Sequence, residues 1–209
     1  ALRQVLAALL GADAELYELA CMVSEPGARR LPVHPDTPCV AVAAATAAAQ
    51  QQQPDGGLAV EEDRGGPPVV VTGFIALQDV TRAMGPTLVW RGTHTAAAHV
   101  AWEEERAGFL ERCPAHVVLL SKGDMLLLDS RALHCGGENS AADGQRLFYF
   151  SFKRAKIETG KSATGTLRAE LAGRYSIDSF GSGIGGGARD APVAEQQQAP
   201  RRRRRAIRS

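Results

Sequence analysis

Gly123-Asp124-Met125-Leu126-Leu127-Leu128-Asp129-Ser130-Arg131-Ala132-Leu133-His134 reads as a turn, a buried strand and then a histidine just past the strand end. The apolar run is strand-length and is bounded on both sides by turn-forming residues. Far upstream, Val33-His34-Pro35-Asp36-Thr37 supplies a matching piece. Alternate side chains of an extended segment point the same way, so His34 and Asp36 can reach one point. His-x-Asp, a long gap and a lone His supply two imidazoles and one carboxylate. That set holds non-haem Fe(II) on one face and leaves the other face open for a co-substrate and oxygen. Arg146 follows 146 − 134 = 12 positions after the histidine, on a strand face shared with Phe148, Phe150 and Phe152. The expectation is an inward-facing arginine. An unpaired buried charge is very costly, so such an arginine calls for a carboxylate partner, onto which its guanidinium forks.

Working outward, Val69 to Val80 is the clearest strand. Val69, Val71, Gly73, Ile75 and Leu77 share one face, and Val70, Thr72, Phe74, Ala76 and Gln78 the other. Both faces are largely apolar, as in a sheet covered on both sides. Further strands are expected at Ala14–Ser24, Leu31–His34, Thr87–Trp90 and Arg146–Phe152. Val117–Leu120 and Asp124–Leu128 read as a hairpin across Ser121-Lys122-Gly123. Helical spacing marks residues 1–10 and 96–112, the second ended by Cys113-Pro114. Many short strands, glycine turns and few helices predict a mainly β double-sheet jelly roll.

The chain has 209 residues and a formal net charge of +1, enough for one domain with a proper core. No apolar run approaches the roughly 18 residues of a membrane span. No secretory signal is visible, and the chain opens on Ala1-Leu2-Arg3 without an initiator methionine, as a fragment or processed form would. Cys21, Cys39, Cys113 and Cys135 form no C-x-x-C pair and are expected to be free thiols in a reducing, intracellular, cytoplasmic setting. Residues 41–66 pass from alanine-rich sequence through Gln50–Gln53 to Pro54-Asp55-Gly56-Gly57. They read as a flexible insertion between core strands. An oxygenase-type domain is expected over 1–153, and 154–209 as a largely disordered extension. Its arginine run, Arg201–Arg205, lacks interleaved aromatics and reads as a solvated tail. Nucleic acid is therefore not expected as a partner.

Four blocks, in order, resemble the phytanoyl-CoA dioxygenase-like branch of the Fe(II)/2-oxoglutarate oxygenases. They are Leu31-Pro32-Val33-His34-Pro35-Asp36-Thr37-Pro38, Phe74–Thr81, Met84–His94 and Gly123–Arg146, within roughly residues 15–153. The resemblance implies a double-stranded β-helix, cupin-like core with a few flanking helices. It implies Fe(II) on His34, Asp36 and His134, with 2-oxoglutarate as co-substrate and ascorbate in a supporting role. Arg146 would bind the far carboxylate of 2-oxoglutarate, with Phe74 and Thr72 lining its pocket. Gly136 stands roughly where some relatives carry a hydroxyl that helps this arginine, and Asn139 resembles a family asparagine that braces the turn. The implied reaction is hydroxylation of a small organic substrate by O2, with succinate and carbon dioxide as co-products. The alternative is a catalytically inactive β-helix protein that keeps the fold and binds a metal or a partner.

Overall fold

The computed structural model describes residues 1–39, 65–157 and 166–179. Most of the expected insertion and the arginine run lie outside these residues. Among the described residues, seven strands make two antiparallel sheets. The large sheet has the order β1 (Glu15–Ser24), β7 (Gln145–Lys153), β2 (Val70–Ala76) and β5 (Met125–Asp129). The small sheet has the order β4 (His116–Val117), β3 (Thr87–Val89) and β6 (His134–Gly136). His34 adds a single bridge to the outer side of β6, opposite His134.

The sheets face each other across a core of Phe74, Ala76, Val80, Val89, Leu128 and Leu147. The back of the large sheet is also buried. Helix α1 (Leu2–Leu10) lays Leu6 and Leu10 against Val71, Phe150 and Phe152. On the back of the small sheet, Trp90, Leu133 and Cys135 pack with Trp102 of α2 (Ala96–Glu104) and with Phe109 and Leu110 of α3 (Arg106–Arg112). Strands β2 and β5 are apolar on both faces because both faces are covered, as the sequence suggested.

Several expectations change. The predicted strand at Leu31–His34 is reduced to the bridge at His34. The 96–112 helix is broken at Glu105, whose φ of −145° and ψ of 71° are not helical. The segments 117–120 and 124–128 do not form a hairpin. Strand β4 pairs with β3 while β5 pairs with β2, so the turn at Ser121–Gly123 carries the chain from one sheet to the other. The described part of the C-terminal extension is not separate from the domain. Ile177 is buried in the α1 core, Ile177 N donates to Ala14 O, and Leu16 N donates to Tyr175 O.

A register shift in β1 decides which side chains face the inside. Leu16 pairs with Phe152 and Glu18 with Ser151, so Tyr17 is an extra residue. In a regular strand Leu16 and Glu18 would share a face. The bulge reverses this: Leu16 joins the α1 core, and Glu18 turns between the sheets to meet the Ser151 hydroxyl.

Candidate metal centre

His34 and His134 are direct cross-strand neighbours. Each backbone N–H donates to the other's carbonyl at 3.0 Å, which sets both side chains on one face. Asp36, two residues beyond His34, returns to that face. Thr37 fixes the segment: its N–H donates to Ser130 O and its hydroxyl accepts from the Ser130 hydroxyl at 2.8 Å. Both histidines are therefore delivered by neighbouring main chain, and the carboxylate is held between them.

The two imidazoles are orientated by backbone carbonyls. His34 Nδ1 lies 2.8 Å from Pro32 O, and His134 Nδ1 lies 2.9 Å from Ala132 O. A carbonyl only accepts, so each Nδ1 carries the proton and each Nε2 is left with a lone pair. Both Nε2 atoms lie 3.6 Å from Asp36, one from each carboxylate oxygen. One potential ligand atom from each of the three residues falls within 4.8 Å of the others. Backbone-anchored histidines around a carboxylate are the arrangement that metal sites use to fix tautomer and ring plane. The donor set fits Fe(II).

Electrostatics follow the same geometry. Hydrogen bonding to Asp36 raises the His34 pKa above its ordinary value, with burial opposing. Burial lowers that of His134, with Asp36 opposing. Burial alone would raise the Asp36 pKa, but the two histidines more than offset it and the carboxyl is held below its usual range. The cluster thus favours an ionised carboxylate at Asp36, and of the two imidazoles His34 is the one that takes up a proton more readily.

The three residues open onto a cavity of about 530 Å³. Its large-sheet wall carries Thr72, Phe74 and Tyr149, with the two rings 6.0 Å apart. Thr72 and Phe74 are thus brought to the metal-side cavity. Glu18 lines it as well. Its Oε2 accepts from the Ser151 hydroxyl at 2.6 Å, Ser151 in turn meets the Thr72 hydroxyl at 2.9 Å, and burial raises the Glu18 pKa.

Arg146 is placed differently from the expectation. It does share a face with Phe148, Phe150 and Phe152, but that face looks away from the cavity. The phenylalanines are covered by α1 and by Ile177. Arg146 lies beyond that cover, exposed, with its guanidinium donating to Gln78 Oε1 at 3.1 Å and to Gly144 O at 3.4 Å. The inward residue at the start of β7 is Gln145, which is 4% exposed, lines the cavity and donates from Nε2 to Gly85 O. Sequence reasoning also passed over Glu18 and Tyr149. The bulge hid the first, and the second sits on the face of β7 opposite the phenylalanines.

Asn139 is fully buried and braces the turn after β6. Thr93, in the Gly-Thr-His turn, donates to Trp90 O and accepts from Leu133 N, which makes it structural. His99 belongs to the framework too, accepting from Cys39 N and meeting Arg131 O.

The phytanoyl-CoA dioxygenase (PhyH) family model matches residues 2–147, which include all three candidate ligands. The chain belongs to this family. Its enzymes depend on Fe(II) and 2-oxoglutarate, and the His34–Asp36–His134 cluster is where this member can hold the metal. Among solved structures, the chain is similar to EctD from S. alaskensis in its apoform, at 16% identity with a TM-score of 0.57, covering 84% of this chain and 58% of that one. The same protein solved with bound Fe gives a TM-score of 0.55 at 17% identity, covering 83% of this chain and 57% of that one. AviO1 from Streptomyces viridochromogenes Tue57 gives 0.52 at 21% identity, covering 75% and 58%. These likenesses show the fold, the jelly roll of the Fe(II)/2-oxoglutarate oxygenases. The chain spans less than three-fifths of the length of each of these structures. No curated protein matches it significantly. Among the described residues no helix is long and apolar enough to cross a membrane.

Proposed function

We propose that this PhyH-family chain is a dioxygenase that hydroxylates a small organic substrate, with 2-oxoglutarate as co-substrate and succinate and carbon dioxide as co-products. The observation that carries the reading is the His34–Asp36–His134 cluster, its two free Nε2 atoms converging on one carboxylate at the wall of a cavity. Fe(II) bound there would supply activation of O2, with the four electrons of O2 reduction drawn from the substrate C–H bond and from decarboxylation of the 2-oxo acid.

The chain's own residues set the conditions. His134 is nearly buried, at 8% side-chain exposure, whereas His34 is at 41%, so the metal position is approached from the His34 side. Pro32 O and Ala132 O hold the imidazoles as Nδ1-H tautomers, the form that leaves Nε2 for a metal. Phe74, Tyr149 and Thr72 give the opposite wall an apolar surface with two hydroxyls, suited to a substrate with both apolar and hydrogen-bonding parts. A small-molecule substrate and O2 fit this cavity.

The test is direct. His34→Ala, Asp36→Ala and His134→Ala should each abolish Fe(II)- or Mn(II)-binding and 2-oxoglutarate-dependent succinate release, while far-UV circular dichroism stays unchanged. Ascorbate belongs in the turnover assay to keep the metal reduced. Full metal affinity in any one variant would remove that residue from the ligand set. A second reading, a catalytically inactive barrel that binds a metal or partner, is favoured by one observation: the inward position at the start of β7 is an amide, not a guanidinium. Metal binding by the wild-type chain without succinate release from any substrate screened would support it.

A further inference from the structure

If the cavity takes 2-oxoglutarate, its far carboxylate needs a positive charge that β7 does not send inward. Arg146 points out of the barrel and Gln145 points in. Among the described residues lining the cavity, Glu18, Glu25 and Asp36 are acids, and one residue, Arg29, is a lysine or arginine. Arg29 lies in the connection between β1 and His34. That connection is fastened to the turn after β6 by main-chain bonds on both sides of it. Gly27 N donates to Asn139 O, Asn139 N to Ala28 O, and Leu31 N to Gly136 O, at 2.8, 2.9 and 3.0 Å. The backbone at Arg29 is thereby held against the part of the wall that carries Gly136, Gly137 and Gln145.

The neighbouring arginine is committed elsewhere. Arg30 Nε donates to Cys135 Sγ, and its guanidinium lies 5.7 Å from the centroid of the Trp90 ring. Arg29 has no hydrogen-bond or ion-pair partner among the described residues. It is an exposed guanidinium, as Arg146 is, but it lines the cavity and sits on a backbone held at both sides. Gly136, on the same cavity wall, adds no side chain to it; a Cβ there would meet Leu31 at 3.5 Å.

We infer that Arg29, not Arg146, receives the far carboxylate of the 2-oxo acid, from the loop rather than from the strand. The inference rests on the proposed function. A guanidinium on a loop forks onto a carboxylate as one on a strand does, and Gln145, which lines the same cavity, adds a neutral amide in place of a second charge.

Calorimetric titration of 2-oxoglutarate into the Mn(II)-loaded chain, without substrate turnover, tests this. Arg29→Ala should weaken 2-oxoglutarate about ten- to a hundredfold, the scale of a lost charge-assisted hydrogen bond. Arg29→Lys should restore only part of it. Arg146→Ala should bind 2-oxoglutarate as the wild type does, and Mn(II) affinity should be the same in all variants. 2-Oxopentanoate, of equal length but ending in a methyl group, should bind wild type and Arg29→Ala alike, which loss of structure would not produce. If 2-oxoglutarate binds Arg29→Ala as tightly as wild type, or if Arg146→Ala is the variant that loses it, the inference is overturned while the proposed function stands. If the wild-type chain binds Mn(II) but no 2-oxoglutarate, the proposed function falls and the inference with it.

Discussion

Asn139 offers the sharpest test of how the site is held. It is fully buried and spends all its side-chain groups on backbone. Nδ2 donates to Ser24 O at 2.8 Å and to Asp143 O at 3.1 Å, and Oδ1 accepts from Ala141 N at 3.0 Å. It therefore joins the end of β1 to the turn that leads into β7. Asn139→Ala removes three hydrogen bonds and leaves backbone groups in a space too small for their usual hydration. At about 1 kcal/mol per bond, with a further desolvation cost where no water enters, the loss is roughly 3–5 kcal/mol. That is a large share of the 5–15 kcal/mol of a typical domain. For a chain of this size it corresponds to a Tm lower by about 6–20 °C. Asn139→Asp should be at least as damaging, because a carboxylate would then face two carbonyl oxygens. Urea unfolding with an unchanged m-value is the measurement. Near its own midpoint the variant should retain Mn(II) binding when folded, since no ligand touches Asn139. Its 2-oxoglutarate affinity should fall, since the loop carrying Arg29 is bonded to Asn139 main chain. A cost below about 1 kcal/mol for Asn139→Ala would refute the view that this side chain ties the cavity wall together.

Two further outcomes follow from the charged groups. Mn(II) affinity should fall about tenfold per pH unit below the His34 pKa, which lies above the ordinary 6.5, because one proton must leave Nε2 before the metal binds; a flat titration from about pH 5.5 to 8 would contradict the ligand role of His34. Glu18 binds its proton more tightly in the folded chain than in the unfolded one, where its value is about 4.5, so its contribution to stability is lost as pH rises above that value. Glu18→Gln should therefore raise Tm at neutral pH and change nothing in acid, as read by a thermal melt at each pH; a variant less stable at both would mean that the carboxylate itself is needed.

The grouping of His34, Asp36 and His134 was legible because its determinants are local. His34 and Asp36 are two residues apart, and His134 follows an apolar strand closed by a turn, so spacing alone conveys the geometry. The jelly roll was legible because the chain is built of many short strands with glycine turns and few helices, and Val69–Val80 is apolar on both faces. What failed depended on partners distant in sequence. The hairpin at 117–128 was expected because both segments are apolar and the turn is short. The pairing instead went to β3 and β2, and nothing in the local sequence states which edge is free. The C-terminal segment at 166–179 is weakly patterned, yet Ile177 closes the core under α1. One well-placed apolar residue sufficed where no periodic pattern exists.

The inner and outer faces of β7 show where periodicity stops being informative. Both faces are apolar: Leu147 and Tyr149 on one, Phe148, Phe150 and Phe152 on the other. The larger aromatics suggested the inside, and with them Arg146. The core geometry reverses this, because α1 supplies an apolar cover for the phenylalanine face while the opposite face must line a cavity. A face that lines a cavity needs polar groups at intervals, and on β7 those are Gln145 and Ser151, both nearly or fully buried. On β2 the same face carries Thr72, and on β1 the bulge turns Glu18 to it. Three adjacent strands thus aim small polar side chains at one another, whereas the opposite face offers apolar contacts to a helix. Buried polar residues on one face of neighbouring strands, rather than the bulk of the apolar ones, therefore mark the cavity side of this sheet. By that criterion the start of β7 presents Gln145 to the cavity beside His34, Asp36 and His134, and the charge that a dicarboxylate would require has to come from another element of the chain.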